Sequence, residues 1–369
     1  MKSPQLHVAF NKPSPVSKFL RMLIKICIIP LKITRSEKTT TVTFKYISKQ
    51  TLIFMFYQSV ILGGIVMGFM LIYMTGINQV FAWYMAHFRN SNFIDFFSLS
   101  ILMLLTSFIP NFSLPLAKHL TYVANGLILS PNLQLPNHWK KFFLSFLVYT
   151  ISSAIYIHIN IMDSKGDDEV VDKSWWLAGV YIQIIYIQLT LFVIFFVVLC
   201  LIDEFKRKVF LCKNNIIQHA DNSIDGFKTL QNGFGTTFLL TFSYHQIENV
   251  FCTYMGISSL MSINENLWQN IVLSVCYFSM TAYYMTILYC ITLTAEEAYE
   301  ALQSLNTPLE KMLIKENDST KKEIIRATMR KLEKIRPLNG NGYFNVTRET
   351  LTSIVSTTVT YLIILLQFR

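Results

Sequence analysis

The chain has 369 residues, of which 52% are hydrophobic and only 15% are charged. Soluble domains carry about 25% charged residues, so this composition excludes a water-soluble globule, and the high aromatic content excludes a disordered or collagen-like chain. The net charge of +10 would indicate nucleic-acid binding only if the basic residues clustered on a soluble surface. The composition therefore predicts a membrane protein.

Seven stretches are long and apolar enough to cross a bilayer as helices, which takes about 20 residues each. Six are plain apolar runs, whereas the seventh has a hydroxyl-rich first half. In chain order they are 52–74, 93–112, 142–161, 175–202, 234–260, 269–295 and 346–368. The predicted fold class is an all-α membrane protein with seven transmembrane helices.

Lysine and arginine concentrate in alternate connections between these spans. One set of segments holds 27 of them and the other set holds four. The basic set comprises the chain before residue 52 and the segments 114–141, 203–232 and 296–337. Cytosolic loops carry the basic excess, so the N-terminus is predicted to be cytosolic and the C-terminus extracellular. The basic tail is expected to rest on anionic membrane lipid, with no nucleic-acid partner.

The predicted organisation follows from these boundaries. It comprises a basic cytosolic tail (1–51), spans one to four (52–202), a cytosolic helical continuation (203–233), spans five and six (234–295), a cytosolic anchor helix and turn (296–345) and the seventh span (346–369). In the anchor region Ile325, Thr328, Leu332 and Ile335 recur at helical spacing, which predicts one buried stripe. The sequence Asn-Gly-Asn-Gly at 339–342 predicts a turn that returns the chain to the bilayer. The polar continuations of spans four and five fit either long projecting helices or solvated loops.

The chemistry of an enzyme is missing from the sequence. No motif of a metalloprotease, nucleotide-binding loop, hydrolase or kinase is present, and no two histidines or cysteines have metal-ligand spacing. We therefore expect no catalytic activity, no metal and no cofactor. The six cysteines are expected to be free thiols, although a bridge between Cys252 and Cys276 stays open.

The seventh span has one polar and one apolar face when its residues are placed at 100° intervals. The polar face is centred near Thr360 and carries Thr350, Ser353, Thr357, Ile364 and Gln367. The opposite face carries Leu351, Val355, Val359, Leu362 and Leu366. A hydroxyl stripe in lipid must face protein or water, which favours several copies around a shared pore. The alternative is that the hydroxyls bond backbone carbonyls within a buried helix.

The last residues carry a known pattern. Thr360 and Tyr361 are followed by five apolar residues and then by Gln367 and Phe368. This resembles the C-terminal signature of insect gustatory receptors, and the preceding segment 342–345 is similar to their approach to the last helix. The resemblance in sequence motif covers about the last 30 residues. The rest of the chain resembles the family only in its length and in the number and order of its predicted spans.

The resemblance implies a homotetrameric, ligand-gated, non-selective cation channel in the plasma membrane of chemosensory neurons. The last helices of four subunits would surround the pore, a cytosolic anchor would join the subunits, and each subunit would bind a small tastant from outside. The pore and gate positions carried over from the motif are Thr360, Tyr361, Gln367 and Phe368, and the polar face of the helix adds Thr357 and Ile364. Sweet-sugar receptors usually have an acidic residue after the Thr-Tyr pair; Leu362 here favours bitter or other plant compounds, and a fructose-type receptor also fits.

A ligand pocket reached from outside would be lined by the outer halves of spans two to six. The polar and aromatic candidates are Asp95, Tyr156, His158, Trp176, Gln183, Glu248, Asn249, Tyr254, Asn270, Ser274 and Tyr277. Each also has a structural interpretation; Trp176, for example, suits an interfacial anchor. Glu248 is the strongest candidate because a carboxylate inside a span needs a partner, whether a ligand, His245 or a neighbouring subunit.

Two other functions compete with the channel hypothesis. A seven-span receptor coupled to a G protein would need an extracellular N-terminus, against the charge bias, and the chain lacks the N-P-x-x-Y pattern of such receptors. A channel subunit that requires a co-receptor fits the same residues.

Overall fold

In the computed structural model of the protein, well-defined structure covers just over half of the chain. The described residues are 32–35, 40–43, 136, 138–163, 171–210, 215–261 and 267–367. The first two predicted spans, 52–74 and 93–112, lie outside them, as do Asp95, Phe368 and most of the basic tail.

Seven helices and two short strands make up the described part of the chain. The strands are β1 (Lys32–Arg35) and β2 (Thr40–Thr43). The helices are α1 (Trp139–Asp163), α2 (Val171–Phe210), α3 (Ile216–Met261), α4 (Leu267–Gln303), α5 (Asn306–Lys315), α6 (Ser319–Glu333) and α7 (Arg348–Gln367). Helices α1 to α4 and α7 overlie the third to the seventh predicted spans.

The two strands are an exception to the predicted all-α class. They pair antiparallel, with Lys32 opposite Thr43 and Arg35 opposite Thr40. Ile33, Val42 and the threonines of this segment are β-branched, which favours extended backbone. A search for apolar runs of span length does not detect a hairpin of four-residue strands, so the prediction missed it.

Helices α2 and α3 are much longer than a membrane span. They contain 40 and 46 residues, and a 46-residue helix is about 70 Å long, more than twice the hydrocarbon thickness of a bilayer. Helix α2 runs unbroken through the charged segment 203–208, and α3 begins 18 residues before its apolar part at 234. Of the two interpretations left open by the sequence, long helices that continue beyond the apolar zone are therefore observed.

Helix α4 is the centre of the helical bundle. It packs against α1, α2, α3 and α7. Apolar or aromatic residues lie on all its sides, and Tyr283, Ile287 and Cys290 are at most 1% exposed, as expected for a helix surrounded by protein.

Two helical stretches in the described residues are long and apolar enough to cross a membrane. They are Leu267–Lys315, which contains α4, and Arg348–Gln367, which is α7. The two differ sharply in burial. In the first, 44% of the most apolar 18-residue segment is buried, whereas in the second only 6% of the corresponding segment is buried. Helix α7 therefore lies at the edge of the described bundle.

Helices α5 and α6 form a small layer beside the polar end of α3. Ile325, Thr328 and Leu332 of α6 are buried, and so is Ile335 just after it, which confirms the predicted stripe. Lys331 Nζ donates a hydrogen bond to Asp221 Oδ1 of α3 at 2.8 Å, and this contact raises the pKa of Lys331. The Asp318 side chain caps the start of α6 by accepting from the Thr320 amide at 2.9 Å.

A tight turn joins this layer to α7. Asn341 and Gly342 have φ angles of 51° and 82°, and the Tyr343 amide donates to the Gly340 carbonyl at 3.0 Å. Two consecutive left-handed residues with this hydrogen bond form a type I′ turn, for which Asn-Gly is the preferred pair. The turn predicted at 339–342 is thus confirmed.

The turn is seated on α3 at Gly235. Asn341 Nδ2 donates to Thr236 Oγ1 at 2.9 Å, and a Cβ atom at position 235 would lie 2.5 Å from Asn341 Oδ1 and 3.2 Å from the Asn341 amide nitrogen. No real Cβ approaches other atoms so closely, so Gly235 is needed for the turn to reach the helix.

We expect Gly235→Ala to destabilise the folded chain by about 1–3 kcal/mol, because the added methyl group forces the turn away from α3. The measurement is the melting temperature of the detergent-solubilised protein. Gly226→Ala is the matched control on the same helix, since its Cβ would meet Phe205 at an ordinary 3.5 Å. Equal melting temperatures for the two variants would contradict this assignment.

Candidate functional site

Polar side chains from four helices meet inside the bundle. We define the buried polar cluster as Tyr149 of α1, Gln188 of α2, Tyr244 and Glu248 of α3, and Tyr284 of α4. Each is at most 4% exposed. Polar groups hidden from water within apolar helices must find partners among themselves or in a ligand.

The cluster is joined by hydrogen bonds of one amide. Gln188 Nε2 donates to the hydroxyls of Tyr244 at 2.5 Å and Tyr284 at 3.3 Å. Glu248 interacts with both of these tyrosines, and the ring centroids of Tyr149 and Tyr284 lie 5.9 Å apart. The Glu248 side chain is therefore surrounded by phenol groups.

His245 is not the partner of Glu248 that the sequence suggested as one possibility. Its Nδ1 lies 3.0 Å from the Thr241 carbonyl oxygen, which can only accept, so Nδ1 carries the proton and donates. The ring stands edge-on to Phe195 and Tyr284, with centroids 5.4 and 5.3 Å away. His245 thus serves as an aromatic packing element beside the cluster.

Several acceptor and donor atoms around the cluster have no partner among the described residues. They are Gln188 Oε1, His245 Nε2, Asn249 Oδ1 and the Tyr283 hydroxyl. All four side chains are at most 1% exposed. Such atoms are where a bound molecule or water would gain hydrogen bonds.

A second group of predicted pocket residues lies about two helical turns away, toward the α3–α4 connection. Ser274 Oγ donates to the Gly256 carbonyl at 2.9 Å, and the Tyr277 hydroxyl donates to that of Tyr156 at 3.0 Å. Tyr254 is buried in the same layer. These contacts join α1, α3 and α4.

The structure brings together only some of the predicted pocket residues. Glu248 lies in the cluster, and the adjacent Asn249 donates to Met285 Sδ at 3.1 Å. His158 is exposed, and Asn270 is half-buried at the start of α4. Trp176 and Gln183 belong to α2, but their side chains lie outside the described part of the structure.

The sequence reasoning missed Tyr149, Gln188, Tyr244 and Tyr284. The available signal was Gln188, an amide in the middle of a strongly apolar run, which needs a buried partner just as Glu248 does. The tyrosines gave no signal, because aromatic residues are common throughout these helices.

Helix α7 presents the other candidate site. Ile354 is its one buried residue among those described, and Leu351, Leu362 and Leu365 pack partly against the bundle. The predicted pore residues point elsewhere. Thr360, Tyr361, Ile364 and Gln367 are exposed, Thr357 is half-buried, and Phe368 lies outside the described residues.

The apolar face of α7 is only partly covered. Val355 and Val359 are 45% and 50% exposed, although the sequence groups them with Leu351 and Leu362. The reason is that, among the described helices, α3 and α4 make the main contacts with α7, and they cover a narrow arc of it. Within the described part of the chain, an apolar flank and the polar face are therefore both left uncovered.

The hydroxyl groups of α7 bond within the helix. Thr357 donates to the Ser353 carbonyl at 2.8 Å and Thr360 to the Ser356 carbonyl at 3.0 Å. A hydroxyl that donates in this way can still accept from water or a cation's hydration shell. The backbone-bonding interpretation and the pore interpretation are thus compatible.

The cysteines described in the structure are all free. Cys200, Cys252, Cys276 and Cys290 are buried thiols, so the bridge between Cys252 and Cys276 that the sequence left open is not formed.

We expect Tyr284→Phe to lower the melting temperature of the detergent-solubilised protein, with a loss of about 1–3 kcal/mol, because Glu248 and Gln188 each lose a buried partner. Tyr289→Phe is the control on the same helix, since that ring is 39% exposed. If Tyr284→Phe melts like Tyr289→Phe, the cluster does not contribute to stability.

The comparisons with known proteins point to one family. Residues 224–369, which run from α3 to the C-terminus, match a sequence family described as 7tm Chemosensory receptor. No curated protein sequence matches the chain significantly. The family is one of chemoreceptors rather than enzymes.

Two solved structures have a similar fold. The insect olfactory receptor OR5 from Machilis hrabei in complex with eugenol matches with a TM-score of 0.62 and 13% identity, covering 96% of this chain and 100% of that one. A second structure of OR5 from Machilis hrabei matches with a TM-score of 0.55 and 11% identity over the same shares of the two chains. Together with the family match, this likeness confirms the resemblance predicted from the C-terminal motif: residues 224–369 match the chemosensory receptor family, and the fold is similar to that of an insect olfactory receptor.

Proposed function

We propose that the protein is a subunit of a ligand-gated, non-selective cation channel of the gustatory type, opened by a small tastant from outside the cell. The observation that carries this proposal is α7. It combines the Thr-Tyr and Gln-Phe signature with a polar face that no helix of the described subunit covers.

The polar face of α7 requires a partner within a membrane. Hydroxyl and amide groups exposed to hydrocarbon would cost free energy, and one helix cannot enclose water. Four α7 helices around a common axis would give every polar face an aqueous lumen and would cover the free apolar flank that includes Val355 and Val359. The homotetramer would be joined by the layer formed by α5 and α6.

The order of side chains along α7 suits a gate near its C-terminal end. Thr357 and Thr360 would line the wider part of the lumen, and Ile364 would form an apolar constriction that excludes water when narrow. Gln367 would add a polar ring at the mouth, with Tyr361 and Phe368 at the edges of the pore face. The permeating species would be hydrated cations.

The buried polar cluster is the part of the bundle best suited to bind the ligand. The three tyrosines of the cluster and His245 supply aromatic walls, and Glu248, Asn249 and Gln188 supply polar atoms, a combination typical of small-molecule sites. Tyr254, Ser274 and Tyr277 lie on the side toward the α3–α4 connection, and Trp176 and Gln183 would complete the outer wall. The similar OR5 structure contains eugenol, and Leu362 favours bitter or other plant compounds over sweet sugars.

The distribution of basic residues supports a cytosolic N-terminus and an extracellular C-terminus. With the proposed taste function, the protein would lie in the plasma membrane of a chemosensory neuron. In this orientation the signature residues Gln367 and Phe368 stand at the extracellular mouth. The α5–α6 layer stands in the cytosol, and the basic tail contacts anionic lipid.

The protein expressed alone in oocytes should give inward cation current when a panel of bitter plant compounds and sugars is applied. Gln367→Ala or Phe368→Ala should change the ion selectivity or the open probability without loss of surface expression, because both alter the mouth of the pore. Thr286→Val, an exposed substitution on α4, is the control. Unchanged currents in both α7 variants would contradict the pore assignment. If the chain reaches the cell surface but gives current only when a co-receptor is expressed with it, the chain does not act alone.

Glu248→Gln should raise the half-activating tastant concentration about tenfold, because the ligand loses a charge-assisted hydrogen bond. The maximal current and the ion selectivity should stay unchanged, in contrast to the α7 variants. Ser279→Ala is a matched control, since that hydroxyl is exposed and bonds only the Val275 carbonyl among the described residues. An unchanged half-activating concentration would remove Glu248 from the ligand site.

A further inference from the structure

Helix α3 lies between the buried polar cluster and α7. Tyr244 and Glu248 face the cluster, and Gln246 is about 200° away from each of them around the helix axis. Gln246 accordingly points to the opposite side, where α3 packs against α7. One segment of five residues thus contacts both candidate sites.

Gln246 makes two hydrogen bonds to α7. Its Nε2 atom donates to the Ile354 carbonyl oxygen at 3.3 Å and to Thr358 Oγ1 at 3.1 Å. Thr358 Oγ1 itself donates to the Ile354 carbonyl at 2.9 Å. The three groups form a closed triangle that links α7 to α3.

The orientation of the Gln246 amide follows from its partners. The Ile354 carbonyl can only accept, and the Thr358 proton is used toward that same carbonyl, so both partners offer lone pairs to Gln246. The NH₂ group must therefore face α7. The Oε1 atom then has no donor among the described residues, and a carboxylate in place of the amide would repel both partners.

Other contacts between α3, α4 and α7 fix the height of α7 but not its rotation. At its base, Arg348 Nε lies 2.7 Å from Glu296 Oε2 of α4. Higher up, Leu351, Leu362 and Leu365 pack against the bundle through apolar surfaces. Apolar side chains can slide past one another, whereas the directional bonds of Gln246 specify which side of α7 faces α3.

We infer that Gln246 is the positioning residue that sets the rotation of α7 about its axis, and so decides which side chains face the proposed pore. Thr358 points at α3, and its neighbours Thr357 and Thr360 are thereby directed toward the free side. Because Tyr244 and Glu248 are on the same two turns of α3, a displacement of α3 at the cluster moves Gln246 and turns α7. The gating role of Gln246 rests on the proposed channel function, but its effect on the rotation of α7 does not.

The rotation is tested by chemical accessibility in membranes. Thr360→Cys, on the polar face, and Val359→Cys, on the apolar flank, are made separately, and the rate of modification by a membrane-impermeant thiol reagent is measured against the parent chain. With Gln246 intact, Thr360→Cys should react at least tenfold faster than Val359→Cys. In a Gln246→Leu background this ratio should fall about threefold or more, and an unchanged ratio would overturn the inference.

A double-mutant cycle tests the specific contact. Gln246→Leu and Thr358→Val should each change the melting temperature of the detergent-solubilised protein and the half-activating tastant concentration, the latter by about three- to tenfold, the size expected for one hydrogen bond. Thr358→Val should add nothing in the Gln246→Leu background. Gln246→Glu should lower the melting temperature more than Gln246→Leu does, because it places carboxylate oxygens against the oxygen atoms of Ile354 and Thr358 that accept from Gln246. Thr286→Val, whose hydroxyl bonds the Ala282 carbonyl on the exposed side of α4, is the control.

The outcomes separate this inference from the proposed function. If no tastant gives current, the channel proposal fails, but non-additive melting temperatures would still support the contact. If currents are present and the two substitutions act independently on gating and on stability, the inference is wrong and the channel proposal stands.

Discussion

A bilayer offers no hydrogen-bond partner to a protein, and every polar group at membrane depth must therefore be satisfied by the protein itself or by water that it encloses. This chain meets the requirement in two ways. In the buried polar cluster, Gln188 donates to two tyrosines, and both tyrosines interact with Glu248. Along α7 the hydroxyls donate within the helix, and their lone pairs lie on a face that the other described helices leave exposed. The first arrangement joins the helices of the bundle, and the second fits the proposed assembly around water.

Helix α3 connects these two arrangements. It accepts the turn that precedes α7 at Gly235, bonds α7 at Gln246 and contributes Tyr244 and Glu248 to the cluster. These points lie within four turns of one continuous helix, which is stiff because each residue is held by the backbone ladder. A change at the cluster can therefore be transmitted to α7 without a chain of intermediate side chains. Physical coupling of this kind needs a structural element that can adopt two arrangements. Helix α7 is suited to this role because so little of its surface is buried among the described residues.

Much of this architecture was predictable because it follows from periodicity. The apolar runs placed α1 to α4 and α7, the spacing of Ile325, Thr328 and Leu332 predicted the stripe that α6 buries, and Asn341-Gly342 predicted the turn. These features depend on neighbours within a few residues along the chain. The β1–β2 hairpin was missed because its strands have only four residues each. A hydropathy pattern over so few residues does not distinguish a strand from a helix or a loop.

The site was less predictable because its contacts join residues that are far apart in the sequence. Glu248 could be singled out from its charge alone, yet its partners come from α3 and α4, and the proposed partner His245 bonds to backbone instead. The sequence did not single out Gln246. It lies close to a histidine and a glutamate in an apolar run, and the sequence does not show which neighbouring helix each of these three side chains faces. Successive side chains point 100° apart around a helix, so their relative directions follow from the sequence. Which other helix packs on each side depends on the topology of the fold. Once α7 is known to pack on α3, that same periodicity requires that the residue two positions from Glu248 face α7, and a polar residue there must find its partner on α7.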